Sequence, residues 1–223
     1  MNDCIVNVGF GGWHPTGSAR LRRSLIEHGY PGAIQCWTNE LPPGSPSHQD
    51  VPYGMKVYAM EWALTMQFER VMWLDSSVWC IRYPEVHLQA MARDGYYLVH
   101  SGWDCDQWTN DACLAHFGLT REQAREIPMI SAGILGLNFG TEIAREFFAR
   151  WKNAMLAGCF KGSWTNPAYV EGGGIRERGH RHDQSCASII AYALGMKLHP
   201  KEVYDMYARA EMPETVELVL RGM

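Results

Sequence analysis

No apolar run in this chain approaches the roughly 20 residues that a bilayer-spanning helix needs, so no segment is expected to cross a membrane. No C-x-x-C pair occurs among Cys4, Cys36, Cys80, Cys105, Cys113, Cys159 and Cys186. An odd number of scattered thiols argues against a disulfide framework or a zinc knuckle, and for reduced thiols in a cytoplasmic protein. A basic excess is also lacking: 20 Lys and Arg stand against 24 Asp and Glu, a formal net charge of −4. No global field therefore favours nucleic acid or an anionic membrane, and only a local basic patch such as Arg20, Arg22 and Arg23 could. Asn2 and Asp3 lead straight into a strand-like run without a cationic segment, so no secretory leader is expected. Missing too are a P-loop, a G-x-S-x-G elbow and H-E-x-x-H, and Gly9 to Gly17 does not fit the G-x-G-x-x-G spacing.

What is present fits a folded globular chain. Of 223 residues, 47% are hydrophobic and 20% charged, enough for one large domain with a sizeable core. Cys4 to Phe10 reads as a buried first strand, followed by turn residues from Gly11 to Gly17. Ser18 fits the cap of a helix carrying Leu21, Leu25 and Ile26. Ala33 to Trp37 reads as a second strand, and residues 41–51 as a proline-rich loop. Met55, Tyr58, Ala59, Trp62, Ala63 and Met66 give the strongest helical period in the chain. Pro84 suits the start of a helix that ends at Gly95. Tyr96 to His100 and Ile130 to Phe139 read as strands, Thr120 to Gln123 as a capping box, and Thr141 as the cap of a long helix. Ser185 to Leu194 is apolar and helical, and residues 200–223 are expected to be helical. Strand and helix alternate through the first half, which implies an α/β layer fold with a mostly parallel sheet.

Several residues carry chemistry, and each has a plainer alternative. Val71 to Leu74 is apolar and ends abruptly in Asp75, with Ser77 two residues on. A carboxylate at a strand end can hold a divalent cation against a diphosphate, or merely cap a turn. Arg176, Arg178 and Arg181 lie in a glycine-rich stretch that either closes over a phosphate-bearing ligand or is solvated surface. His180, His182 and His199 can ligate metal, bind phosphate, or do neither. Asp183 opens the apolar helix, where a capping carboxylate held rigid can also touch a sugar hydroxyl. Asp104 and Asp106 are interleaved with Trp103 and Trp108, as on a carbohydrate-binding surface or in a packed aromatic loop. Lys56 stands in the first turn of the best helix, where it assists anion binding or is simply solvated.

Taken in order, Tyr53-Gly-Met-Lys56, Trp73-Leu-Asp75-Ser-Ser77, Ser131 to Asn138 and Asp183-Gln-Ser185 resemble the GT-A-fold glycosyltransferases, over roughly residues 4 to 199. The likeness is to small, anchorless forms of bacterial, phage or viral type. It implies one Rossmann-like domain over residues 1–223. A nucleotide-binding half would cover about 1–100, an acceptor and sugar half about 101–199, and a helical tail 200–223. It implies transfer of a sugar from a nucleotide-diphosphate sugar, a UDP-sugar foremost, to a hydroxyl on a glycan, a protein or a hydroxymethylated DNA base. A divalent cation, Mn²⁺ or Mg²⁺, would assist. Asp183 and Asp104 become the catalytic carboxylates. Val8, Gly9, Phe10, Gly11, Trp13, Lys56, Asp75, Ser76, Gly133, Arg178 and His182 become donor-binding residues, with Gly136 also giving the sugar a close approach. Asp75, Ser77 and His199 become the metal ligands, although Ser77 stands where the family's D-x-D motif has its second aspartate. Two alternatives remain. A nucleotidyltransferase would want a glycine-rich loop after the first strand, which Gly11-Gly12-Trp13-His14-Pro15 fits poorly. A degenerate sugar- or nucleotide-binding protein is kept open by Ser77.

Overall fold

The computed structural model describes residues 2–221. In chain order these form β1 (Asp3–Gly9), α1 (His14–Glu27), β2 (Ala33–Thr38), α2 (Met55–Thr65), β3 (Arg70–Leu74) and β4 (Val78–Cys80). Then come α3 (Glu85–Asp94), β5 (Tyr96–Tyr97), β6 (His100–Asp104), α4 (Cys105–Trp108), α5 (Asp111–His116) and α6 (Arg121–Ala124). The last elements are β7 (Pro128–Ile130), β8 (Ile134–Asn138), α7 (Glu142–Leu156), α8 (Asp183–Ala193), β9 (Asp205–Tyr207) and β10 (Leu218–Leu220).

The central sheet has the order β2-β1-β3-β8-β5. β1 pairs parallel with β2 and β3, and only β8 runs against its neighbours. The mostly parallel sheet expected from the alternation is therefore present, with one reversed strand. Both faces are covered, which is why β1, β3 and β8 are buried along their whole length. Cys4, Val6 and Val8 of β1 face a cluster with Val57 and Met60 of α2, Trp151 of α7 and Ile190 of α8. Ile5 points the other way, to Leu21 and Leu25 of α1 and to Leu88 and Met91 of α3. The alternation is the two-residue period of a strand expressed as two cores.

Local chemistry sets the ends of these elements. α1 starts at His14 with Pro15 in its first turn, earlier than the expected cap at Ser18. Ser18 is instead buried, and its hydroxyl donates to Asn7 Oδ1 at 2.5 Å. α3 stops at Gly95, whose φ of +88° suits a residue without Cβ. Thr120 and Gln123 form the expected capping box.

Residues 200–221 correct the expectation of a helical tail. They carry β9 and β10, which form a second sheet in the order β4-β10-β9. β10 pairs antiparallel with β4 and parallel with β9, so the segment straps itself beside the turn after Asp75. The chain leaves β1 toward β2 on one side and returns as β3 on the other. The carboxyl ends of β1 and β3 therefore flank a crevice at the point where the winding reverses, the usual ligand position in open α/β sheets.

Candidate active site

Three charged side chains meet at that crevice. β3 delivers Asp75 to its end, where the backbone N–H donates to Gly133 O at 2.8 Å. α2 brings up Lys56 and α8 brings up Asp183. Lys56 Nζ lies 3.0 Å from Asp183 Oδ2 and 3.4 Å from Asp75 Oδ1, and donates to Ala132 O at 2.8 Å. The contact with Asp183 is a buried ion pair. Trp73 Nε1 donates to Asp75 Oδ1 at 2.6 Å. Lys56 and Asp183 are almost fully buried, at 3% and 2% exposure, while Asp75 is half-buried.

Burial and pairing compete here. Burial by itself lowers the Lys56 pKa, but Asp183 and Asp75 more than offset it, and the net direction is up. Burial pushes Asp183 up to about 6, against the pull of Lys56. Desolvation of the carboxylate is thus the larger effect on Asp183. The backbone is strained on both sides: Tyr53 has φ +59° and His182, just before Asp183, has φ +51°. Both are non-glycine residues in the left-handed region, a conformation that clusters at functional sites.

A cleft of about 510 Å³ opens in front of Asp75. Its wall includes Trp13 after β1, Ser77 after β3, Gly133 before β8, Trp103 from β6, and Asp205 and Arg221 from the C-terminal strap. Arg181 and Gln184, on either side of Asp183, line it as well. Arg181 is clamped between two indole faces, 3.6 Å from the centroid of Trp108 and 3.7 Å from that of Trp164. His100 Nε2 and Ser101 Oγ lie in the same wall, buried and without hydrogen-bond partners among the described residues. Orphaned polar atoms on a cleft wall are groups that a bound ligand or water can satisfy.

The sequence-predicted residues divide. Asp75, Ser77, Gly133 and Trp13 line the cleft. Lys56 and Asp183 stand directly behind Asp75, so Lys56 is a buried counterion and not a solvated helix residue. Phe10 and Gly11 are exposed on the loop between β1 and α1, outside the cleft wall. Val8 is buried in the core. Gly9 lets α1 come close, since a Cβ there would lie 2.6 Å from Ser18 Cβ. Ser76 turns inward, and its hydroxyl donates to Val8 O at 3.0 Å. Gly136 faces α3, where a Cβ would meet Met91 Sδ at 2.7 Å; it admits a helix and not a sugar.

Four further expectations move for clear reasons. Asp104 sits at the N-cap of α4, where its N–H donates to Gln107 Oε1 at 3.4 Å. Arg178 is held among Trp103, Trp108 and Tyr169, outside the cleft wall. His182 stacks with Tyr53 and Trp164 and pairs through Nδ1 with Phe160 O at 2.9 Å. His199 stacks on Tyr97 with centroids 4.5 Å apart and takes no part in the wall. The cleft's cations are instead Arg181, Lys201 and Arg221. The first belongs to the basic stretch already singled out; the other two sit in a segment read as a helix.

This arrangement does not supply a divalent cation with a protein-built ligand set. Asp75 Oδ1 already faces an indole N–H and an ammonium, leaving Oδ2 and the neutral Ser77 hydroxyl. Among the described residues no three His, Cys, Asp or Glu side chains converge in a metal-holding group. The other cleft carboxylates, Asp205 and Glu202, are held by Tyr97 and Arg209, so a hard cation here would draw most of its six or more oxygen ligands from phosphate and water.

No family model matches the chain. No curated protein matches it either. Its fold is similar to that of a solved structure described as a glycosyltransferase involved in the glycosylation of the major capsid of PBCV-1. The TM-score is 0.57, with 13% identity, over 99% of this chain and 93% of the other. At that identity the likeness is one of fold.

Proposed function

We propose that the protein is a glycosyltransferase that moves a sugar from a nucleotide-diphosphate sugar to an acceptor hydroxyl. One observation carries this reading: Asp75, Lys56 and Asp183 are gathered at the switch point of the sheet, behind a cleft flanked by Arg181 and Arg221. The fold likeness to a glycosyltransferase supports it.

The chemistry follows from charge. Glycosyl transfer builds negative charge on the departing diphosphate and positive charge on the sugar ring. Cations fixed before the reaction stabilise the first without reorganising. Arg181, fixed between two tryptophans, has that property. The Asp75–Lys56–Asp183 cluster is assigned the role of meeting the sugar cation and taking the acceptor proton, with Asp75 the carboxylate on the cleft wall and Asp183 the buried one behind it. A base with a pKa of about 6 is ionised at neutral pH yet still basic enough to accept a proton. Asp104 gives up that role, because it caps a helix outside the cleft wall. Trp13 and Trp103 offer partly exposed indoles on the cleft, suited to stacking on a base or a sugar ring.

The test is thermal unfolding against UDP-, GDP-, TDP- and CMP-sugars. A ligand of the native state raises the melting temperature by mass action. Stabilisation by one donor and not by its free sugar is expected. No stabilisation by any donor would overturn the reading.

A further inference from the structure

The turn after β3 is electrostatically unusual. Arg20 Nη2 donates to Ser77 O at 2.9 Å, and the Arg221 backbone N–H donates to the same oxygen at 2.9 Å. Two guanidinium-bearing residues from opposite ends of the chain are thus fastened to the turn that presents Asp75. Arg20 stacks over Trp79 at 4.1 Å and Arg221 over Trp13 at 4.9 Å, so aromatic faces hold both. Burial, and then the nearby Arg221 charge, lower the Arg20 pKa. Arg20 Nε is buried with no hydrogen-bond partner among the described residues. Among the described residues neither arginine forms an ion pair with a carboxylate, and neither does Arg181 across the cleft.

The acids of the cleft are already matched. Asp75 faces Lys56 at 3.4 Å. Glu202 pairs with Arg209 at 2.7 Å. Asp205 accepts from Tyr97 OH at 2.6 Å. Lys56 is shared between Asp75 and Asp183, and Asp205 also has His87 at 3.8 Å, so the positive charge that lacks a carboxylate is the local charge of Arg20, Arg221 and Arg181 beside Ser77.

We infer that Arg221 and Arg181 clamp the diphosphate of the donor directly, with Arg20 adding to the field, and that donor binding needs no divalent cation. This rests on the donor reading above. Ser77 is then no weakened metal ligand. It is the neutral residue that leaves room for a phosphate between two cations. The strap of β9 and β10 acquires a purpose as well, since its pairing with β4 sets Arg221 over the turn.

The experiment is calorimetric titration of UDP, GDP, TDP and CDP, each in Mn²⁺ and in EDTA, into the wild type, Arg221→Ala and Arg221→Lys. Because Arg221 is exposed, its substitution should leave the melting temperature of the free protein unchanged. The tightest nucleotide should bind equally, within about twofold, in both buffers. Arg221→Ala should weaken it about tenfold or more, with Arg221→Lys between, as expected for a bidentate guanidinium contact. Affinity should also fall with added salt. Tight binding in Mn²⁺ that is lost in EDTA and indifferent to Arg221 would overturn the inference while leaving the donor reading intact. No binding of any nucleotide in either buffer would remove both.

Discussion

Removing the charge of Asp183 without changing its shape, by Asp183→Asn, isolates one term in the stability of the protein. Burial raises the Asp183 pKa from its ordinary 3.8 to about 6. Each pKa unit is worth about 1.4 kcal/mol, so the rise corresponds to about 3 kcal/mol. The sign is opposite to that of most carboxylates. A raised pKa means that the native state holds its proton longer than the unfolded chain. The contribution to stability is therefore fully present below pH 3.8 and is lost as the pH climbs through about 6. Asparagine cannot titrate, so the variant lacks this loss. Urea unfolding of both proteins between pH 4 and pH 8 should give a stability difference, variant minus wild type, that climbs by about 2–2.5 kcal/mol, since part of the effect is already lost at pH 4, and levels off above neutrality. Subtraction cancels every other titrating group. Lys56 keeps Asp75 and Ala132 O as partners in the variant, which adds an offset and not a slope. A flat difference would refute the assigned burial cost. A falling one would mean that attraction to Lys56 outweighs desolvation.

Three further substitutions probe the same frame. Lys56→Met strands two carboxylates, one of them buried, and should cost about 3–5 kcal/mol by urea unfolding at pH 8. The cost should be smaller at pH 5, where Asp183 is protonated. Gly17→Ala places a Cβ 2.2 Å from Ser76 O and 2.6 Å from the Trp13 ring, and should lower stability by about 1–3 kcal/mol in the same assay. For His87, burial pulls the pKa down, but the Asp205 carboxylate 3.8 Å away and the hydrogen bond to Glu217 at 2.6 Å reverse this, and the net direction is up. The stabilisation that wild type holds over His87→Gln should therefore be largest below pH 6.5 and shrink as the pH rises above it.

The layers of the fold were legible because their signals are local. The period from Met55 to Met66 marks α2, and the breakers at Pro84 and Gly95 frame α3. Asp75 and Asp183 stood out because each ends or opens an apolar run. The strap was not legible. β9 and β10 are three residues each; β10 exists through pairing with β4, more than a hundred residues earlier, and β9 through pairing with β10, which no local period reports. With the strap went Lys201 and Arg221. Arg181 was singled out together with Arg178, three residues apart on an irregular segment, and only the tryptophans around them decide which one meets the cleft. The burial of Lys56 was hidden for a related reason. A lysine in a first helical turn reads as solvated until the sheet brings two carboxylates to it.

The most direct measurement is the release of nucleoside diphosphate from a panel of nucleotide sugars, by the wild type and by Asp183→Asn. The wild type is expected to release it from one donor. Asp183→Asn should still bind that donor, but release should fall about 10²- to 10⁴-fold, the range for loss of a positioned acid–base group. Binding without release by the wild type, or equal release by both proteins, would contradict the assignment of this cleft as a glycosyl-transfer site.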